Sequence, residues 1–339
     1  MKQKLSLLCL VMFFLAQCPC IGASKKDGDE DPGDKAARKK KAAADNGIDF
    51  LFPRAKFFEL TYRNYPFASA SPNSEQNQDE EGEGHVVKTS LRFPMILSSG
   101  FKLIGQVGYQ CERINIPEEA GAFGNVDFQK LGFALIGEKK LKNDKFLLGV
   151  VSVASRSEKT NFKNIPSPNS IGTTLVLGKE YGDYNKLGFG LGAGVNMGRL
   201  SVSPVLAFSK RLDHRNFIDA LLPKNITYRH LMSNKFYFYS SIEADNFNYS
   251  FADRTFEDVS DLEIRSTEVS LNIGLEREIH DWLWMSLNMG LTKPVRNIIL
   301  EQGERSRNHL SSFNDHIQPV VSFSVFAVIP QKLANKFRR

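Results

Sequence analysis

The chain has 339 residues, 42% of them apolar, an ordinary globular proportion that excludes disorder over the whole length, collagen and coiled coil. Lys and Arg number 44 against 38 Asp and Glu, and the resulting +6 is spread along the chain rather than gathered into the basic stripe of a nucleic-acid binder. Four cysteines cannot make a disulfide scaffold at this length.

The chain begins with an address. Lys2 and Lys4 precede the apolar run LSLLCLVMFFLA over residues 5–16, and Ile21-Gly22-Ala23 places small residues before Ser24. This order predicts a signal peptide over residues 1–23, because the run is short of the about 20 residues that span a bilayer. Gln17 stands before Cys18 where a lipoprotein signal needs a small residue. Cleavage after Ala23 removes Cys9, Cys18 and Cys20, so Cys111 is left alone with no disulfide partner. Residues 24–47 then join an acidic block (residues 27–34) to a basic one (residues 35–41), with too little apolar surface to fold, and predict a disordered linker.

From Phe57 onward the chain alternates with period two. In residues 187–195 (LGFGLGAGV), Leu187, Phe189, Leu191, Ala193 and Val195 share one face and four glycines the other. Val269, Leu271, Ile273 and Leu275 oppose Glu268, Ser270, Asn272 and Gly274, while Val321, Phe323, Val325 and Ala327 oppose Ser322 and Ser324. Only a strand sorts residues this way. About 13 such runs occur, mostly 8–12 residues long, with turn signals at residues 140–144, 182–186, 281 and 314–315. Segments of about ten alternating residues are the pattern of a membrane β-barrel, whose apolar face meets lipid and whose polar face meets the lumen; a soluble β-sandwich would reverse the two. Aromatics near run ends (Phe57, Tyr62, Tyr65, Phe67, Tyr109, Tyr181, Tyr184, Trp282, Trp284) suit an interfacial girdle. A closed barrel takes an even number of strands. The expectation is therefore an all-β antiparallel transmembrane barrel of about 12 strands over residues 48–330, with the run at residues 226–231 discarded because it follows the irregular segment 219–223. A basic tail occupies residues 331–339.

Residues 202–251 carry a further pattern: Pro204 and Phe208 in "P-x-x-x-F", a basic turn, "LLP" at residues 221–223, the pair Tyr228-Arg229, and then an aromatic-rich strand. With the upstream runs at residues 131–136, 146–156 and 172–178, this resembles an uncharacterised family of bacterial outer-membrane β-barrel proteins, defined only as a domain of unknown function. The resemblance implies an outer-membrane location, with membrane lipid and the barrel-assembly machinery as partners, and implies no reaction. The last run departs from the usual assembly signal, since Val320 takes the place of a glycine.

No catalytic or metal constellation emerges. Asp213-His214, His280-Asp281 and Asp315-His316 place neighbours on opposite faces of a strand and fall in predicted turns. The glycines at residues 188–194 lack both the spacing and the following helix of a nucleotide loop; they leave room for side chains from opposite strands to fill the lumen. The informative residues are charges on polar faces: Glu59, Arg63, Lys88, Arg92, Lys102, Glu112, Glu243, Glu268 and Glu276. Bases lie mainly on early runs and acids mainly on late ones, so closure of the barrel can pair them across the seam. They either pair into a plug or line a narrow pore for a small solute. A closed barrel acting through loops such as residues 71–84 or 302–315 is the alternative, and a barrel enzyme the third reading.

Overall fold

The computed structural model describes residues 56–65, 84–98, 100–116, 124–158, 168–181, 185–233, 235–251, 259, 261–302, 304–305, 308–312 and 316–328. The signal-peptide and linker assignments, the tail, Phe67, Tyr184, the segment 182–184 and the turn at 314–315 lie outside them.

Fifteen strands follow one another: β1 (Lys56–Tyr65), β2 (Gly84–Leu97), β3 (Phe101–Ile116), β4 (Gly124–Lys140), β5 (Lys145–Glu158), β6 (Ser170–Tyr181), β7 (Asn185–Asn196), β8 (Arg199–Arg211), β9 (Asn216–Leu222), β10 (Asn225–Ser233), β11 (Phe236–Ser250), β12 (Leu262–His280), β13 (Leu283–Glu301), β14 (Ser311–Ser312) and β15 (Gln318–Val328). Each pairs antiparallel with its sequence neighbours from β1 to β13, and β15 joins β13 to β1. The sheet is therefore a closed ring of fourteen strands, with β14 a short addition to the end of β13. No edge of the ring is left unpaired.

The expected count of 12 is thus too low, and the discarded run is a strand. Residues 226–231 form most of β10, paired with β9 and β11. The missing partner was β9, whose alternation is hidden because both faces are apolar: Phe217 and Leu221 on one, Ile218, Ala220 and Leu222 on the other, with Asp219 the exception.

Tight hairpins set the ring's lower rim. Asn143 and Asp144 between β4 and β5 both adopt positive φ (60° and 57°), the geometry that matches strand twist in a short turn. Both ends of the ring, the start of β1 and the end of β15, lie on this rim. The opposite rim is uneven. β7 and β8 turn at Met197-Gly198, and β9 and β10 turn at Pro223-Lys224. Their neighbours rise past them: β11 continues through residues 244–250 beyond its last pairing with β10, and β5 through residues 155–158 beyond β6. These two overhangs meet, Ser250 against Ser157, and the Ser250 hydroxyl donates to the Arg156 carbonyl at 3.1 Å.

Outward positions are apolar. Phe189 is 65% exposed and Leu200 74%, with Val151, Ile171, Leu175, Leu191, Leu271 and Ile273 all more than half exposed. A water-soluble fold does not leave such a belt uncovered. Two of the expected girdle aromatics are not on it: Tyr65 and Trp284 point inward and are buried, Tyr65 beside Val86 and Val320, Trp284 beside Phe326 and Val328.

Candidate functional site

Inside the ring, one sector packs and another leaves space. Along β5–β8, Phe146, Val176, Val205 and Ala207 form a closed apolar cluster. The glycines of β7 belong to it for a reason other than the expected one. A Cβ on Gly188 would sit 2.7 Å from Val176 Cγ1, and one on Gly190 would strike the Leu175 carbonyl and lie 2.7 Å from Val176 Cα. They admit the adjacent strand, not side chains from across the lumen.

The other sector leaves a cavity of about 460 Å³. Of the nine charged residues singled out from the sequence, Glu59, Arg63, Lys88, Arg92, Glu112, Glu243, Glu268 and Glu276 line it. Lys102 does not. It lies opposite Glu138 near the lower rim, where Lys186 reaches Glu138 at 3.2 Å and Glu180 at 2.8 Å. Lys56, Lys130, Lys224, Arg229 and Asp245 line the cavity as well. Two of these follow from carrying the alternation one step beyond a run, Lys130 before Leu131 and Asp245 after Glu243. Arg229 belonged to the discarded run.

Bases of the first strands meet acids of late strands by reaching over the lumen, not along the β1–β15 junction, and Lys56 also pairs with Glu59 on its own strand at 2.9 Å. At the seam itself, β1 and β15 are joined by neutral groups, Thr61 and Ser324, whose hydroxyls lie 2.8 Å apart. Lys56 and Arg63 on β1 pass over β15 and β13 to Glu276 at 3.8 Å and Glu243 at 3.9 Å. Lys88 reaches Asp245 at 4.0 Å. Arg229 is 3.6 Å from Asp219 and 3.7 Å from Glu276, so Glu276 sits between two bases. Arg92 donates instead to the Gln106 side-chain oxygen at 3.1 Å.

Apolar clusters lie toward both rims. On the upper side, Val126, Phe128, Tyr249, Phe251, Leu262, Ile264 and Ile299 bring β4, β11, β12 and β13 into contact, and the Phe128 and Tyr249 rings stack with centroids 4.9 Å apart. The Tyr249 hydroxyl donates to Glu112 at 3.0 Å, and Gln110 donates to the same carboxylate oxygen at 2.9 Å. On the lower side, Trp284, Phe326 and Val328 pack with Tyr237, and the Lys56 ammonium lies 3.9 Å above the Phe326 ring.

With a closed ring, lipid-like outer faces and charged inner faces, the architecture is settled. It is a membrane-spanning β-barrel.

No family model and no curated protein matches the chain. Solved structures that it resembles are bacterial outer-membrane proteins. An outer-membrane channel from Pseudomonas putida F1 is 12% identical, covering 83% of this chain and 99% of that one at a TM-score of 0.42. Outer membrane phospholipase A of Escherichia coli is 10% identical over 83% and 95% of the two chains, TM-score 0.33. The Pseudomonas putida toluene transporter TodX is 12% identical over 72% and 69%, TM-score 0.32. The assignment of this barrel rests on its own strand register.

The histidines are not drawn into the lumen cavity. His214 is exposed in the β8–β9 turn and His280 ends β12. His230 stands apart: its Nδ1 and the Tyr228 hydroxyl share the Asn216 side-chain oxygen at 2.7 and 2.6 Å. Among the described residues no group of three or more His, Cys, Asp and Glu side chains is placed to hold a metal ion.

Proposed function

We propose that this protein is an outer-membrane barrel that admits a small polar solute into its lumen, as a narrow gated pore or a binding barrel. The observation that carries this reading is the charge-lined cavity of about 460 Å³ in the lumen, with apolar clusters above and below it, a volume suited to a small molecule. A lumen evolved purely as a plug would fill this space, as the Phe146 sector does. The long connections lie on the upper rim and both ends of the ring on the lower one, the usual arrangement of a barrel whose lower rim faces the periplasm. Export by a signal peptide, insertion by the barrel-assembly machinery and membership of the uncharacterised family that residues 202–251 resemble belong to the same proposal.

Single-channel recording in planar bilayers tests it. Wild-type barrel is expected to give small, brief openings, and Tyr249→Ala, which removes the centre of the upper cluster, larger and longer ones. A Tyr249→Ala barrel that still shows the heat-modified gel mobility of a folded barrel but stays electrically silent would favour a closed barrel working through its loops.

A further inference from the structure

The charges around the cavity are not evenly matched. Lys88, Gln110, Lys130 and Arg156 are successive cross-strand partners on β2, β3, β4 and β5, so they form one rung on the inner wall. Lys224, in the β9–β10 turn, lines the same cavity and is within electrostatic reach of Lys130. Asp245 faces Lys88, Lys130, Lys224 and Arg63 together, and it is already paired with Lys88 at 4.0 Å. The other nearby carboxylates, Glu112 and Glu268, face Lys88 and Arg63. Among the described residues Lys130, Arg156 and Lys224 form no ion pair, and Arg156 Nε is buried without an acceptor.

Lys130 and Arg156, half-buried on neighbouring strands, repel each other and lose solvation, with the exposed Lys224 adding charge of the same sign. Such a cluster is held by a counter-charge, and the one carboxylate it faces is shared among four bases. The Arg156 guanidinium beside Lys130, with Lys224 within electrostatic reach of Lys130, matches an oxyanion, which accepts two parallel hydrogen bonds from the fork while the lysines add charge. We propose that Lys130, Arg156 and Lys224 form an oxyanion subsite, and that the solute of this lumen is a small carboxylate or phosphate. This inference rests on the reading of the cavity as a solute site and names the chemistry of that solute.

Titration calorimetry on the purified full-length barrel in detergent, with inorganic phosphate, succinate, glucose and putrescine as separate probes, tests both levels. Binding of phosphate or succinate is expected, and the stronger of the two identifies the oxyanion. The double variant Lys130→Gln/Arg156→Gln is expected to weaken that binding at least about ten-fold, while Lys210→Gln, on the outer face of β8, leaves it unchanged. Removing unpartnered cations relieves repulsion, so the double variant should keep its heat-modified mobility; Lys224→Gln alone, in a turn, is the second variant should it fail to fold. Glucose or putrescine binding without either anion overturns the oxyanion subsite and keeps the solute cavity. Anion binding that all these variants leave intact overturns the subsite assignment. Silence with all four probes overturns the subsite and the solute reading together.

Discussion

Phe146 and Arg229 both point into the lumen and both are buried, at 0% and 3% exposure, yet they are held there by different means. Around Phe146 the neighbouring strands offer glycines and small or branched residues, so the wall closes on itself by shape and leaves no space. Around Arg229 the neighbours are long and charged, and each is held by a group on a different strand of the ring. Charged side chains that meet tip to tip stand off from the wall behind them. The space left between is the cavity. Identical backbone geometry thus yields a packed sector and a hollow one, and the inward-facing residue set decides which.

The largest expected breaks in that contrast come from Glu276→Ala and Phe146→Ala. The first strips the carboxylate from between Lys56 and Arg229, although Lys56 keeps Glu59 at 2.9 Å and Arg229 keeps Asp219 at 3.6 Å, a loss of about 3 kcal/mol in urea unfolding of the detergent-folded barrel. Phe146→Ala is expected to cost a similar about 3–5 kcal/mol by opening a void, with no change in bound ions, whereas Glu276→Ala should alter the cation-to-anion preference of the pore. A smaller and sharper test compares two glycines on the same face of β7. Gly190→Ala forces a methyl against the backbone of β6 and should cost about 1–3 kcal/mol. Gly192→Ala meets only ordinary contacts, 3.4 Å to the Ser203 hydroxyl, and should shift the unfolding midpoint little.

The smallest effect belongs to the lower rim, outside both sectors. Asp213, in the β8–β9 turn, accepts from the Arg215 backbone N–H at 2.7 Å and from the Asn216 side chain at 2.6 Å, and these bonds hold its carboxyl below the usual aspartate range. A depressed folded-state pKa means that the turn gains its support above the ordinary value of about 4 and loses it as pH falls through the folded one. Protection of the residue 212–215 turn amides against hydrogen exchange, measured relative to the intrinsic rate at each pH, should therefore fall on acidification in the wild type and stay level in Asp213→Ala. The packed cluster around Phe146 and the charge-lined cavity should be indifferent to that substitution.

Much of the barrel was legible in advance. All the alternating runs became strands, and the glycine face of residues 187–195 turned inward as period two requires. β9 escaped because Leu221 packs inside on the apolar cluster and Phe217 lies inside under the Arg211 guanidinium, while Ile218 and Leu222 face outward, and a strand apolar on both faces has no period to read. The same blindness removed Arg229 and Asp219 from the candidate charges. Trp284 and Tyr65 were placed on the girdle by their positions at run ends, yet parity within the strand sends both inward. Their neighbours Ser286 and Arg63 lie on that same inner face.

What the sequence alone determined is local: the period of each strand, which residues share a face, and that charges gather on the inner one. Those follow from the two-residue repeat of an extended chain, which is written in consecutive residues. Which base meets which acid was decided only by the tertiary structure, because reach across a lumen depends on the number of strands in the ring and on their stagger. So were the two apolar clusters toward the rims. The upper one lies where β5 and β11 outrun the short hairpins between them and meet, Ser157 against Ser250, a contact between segments 93 residues apart that no local pattern encodes.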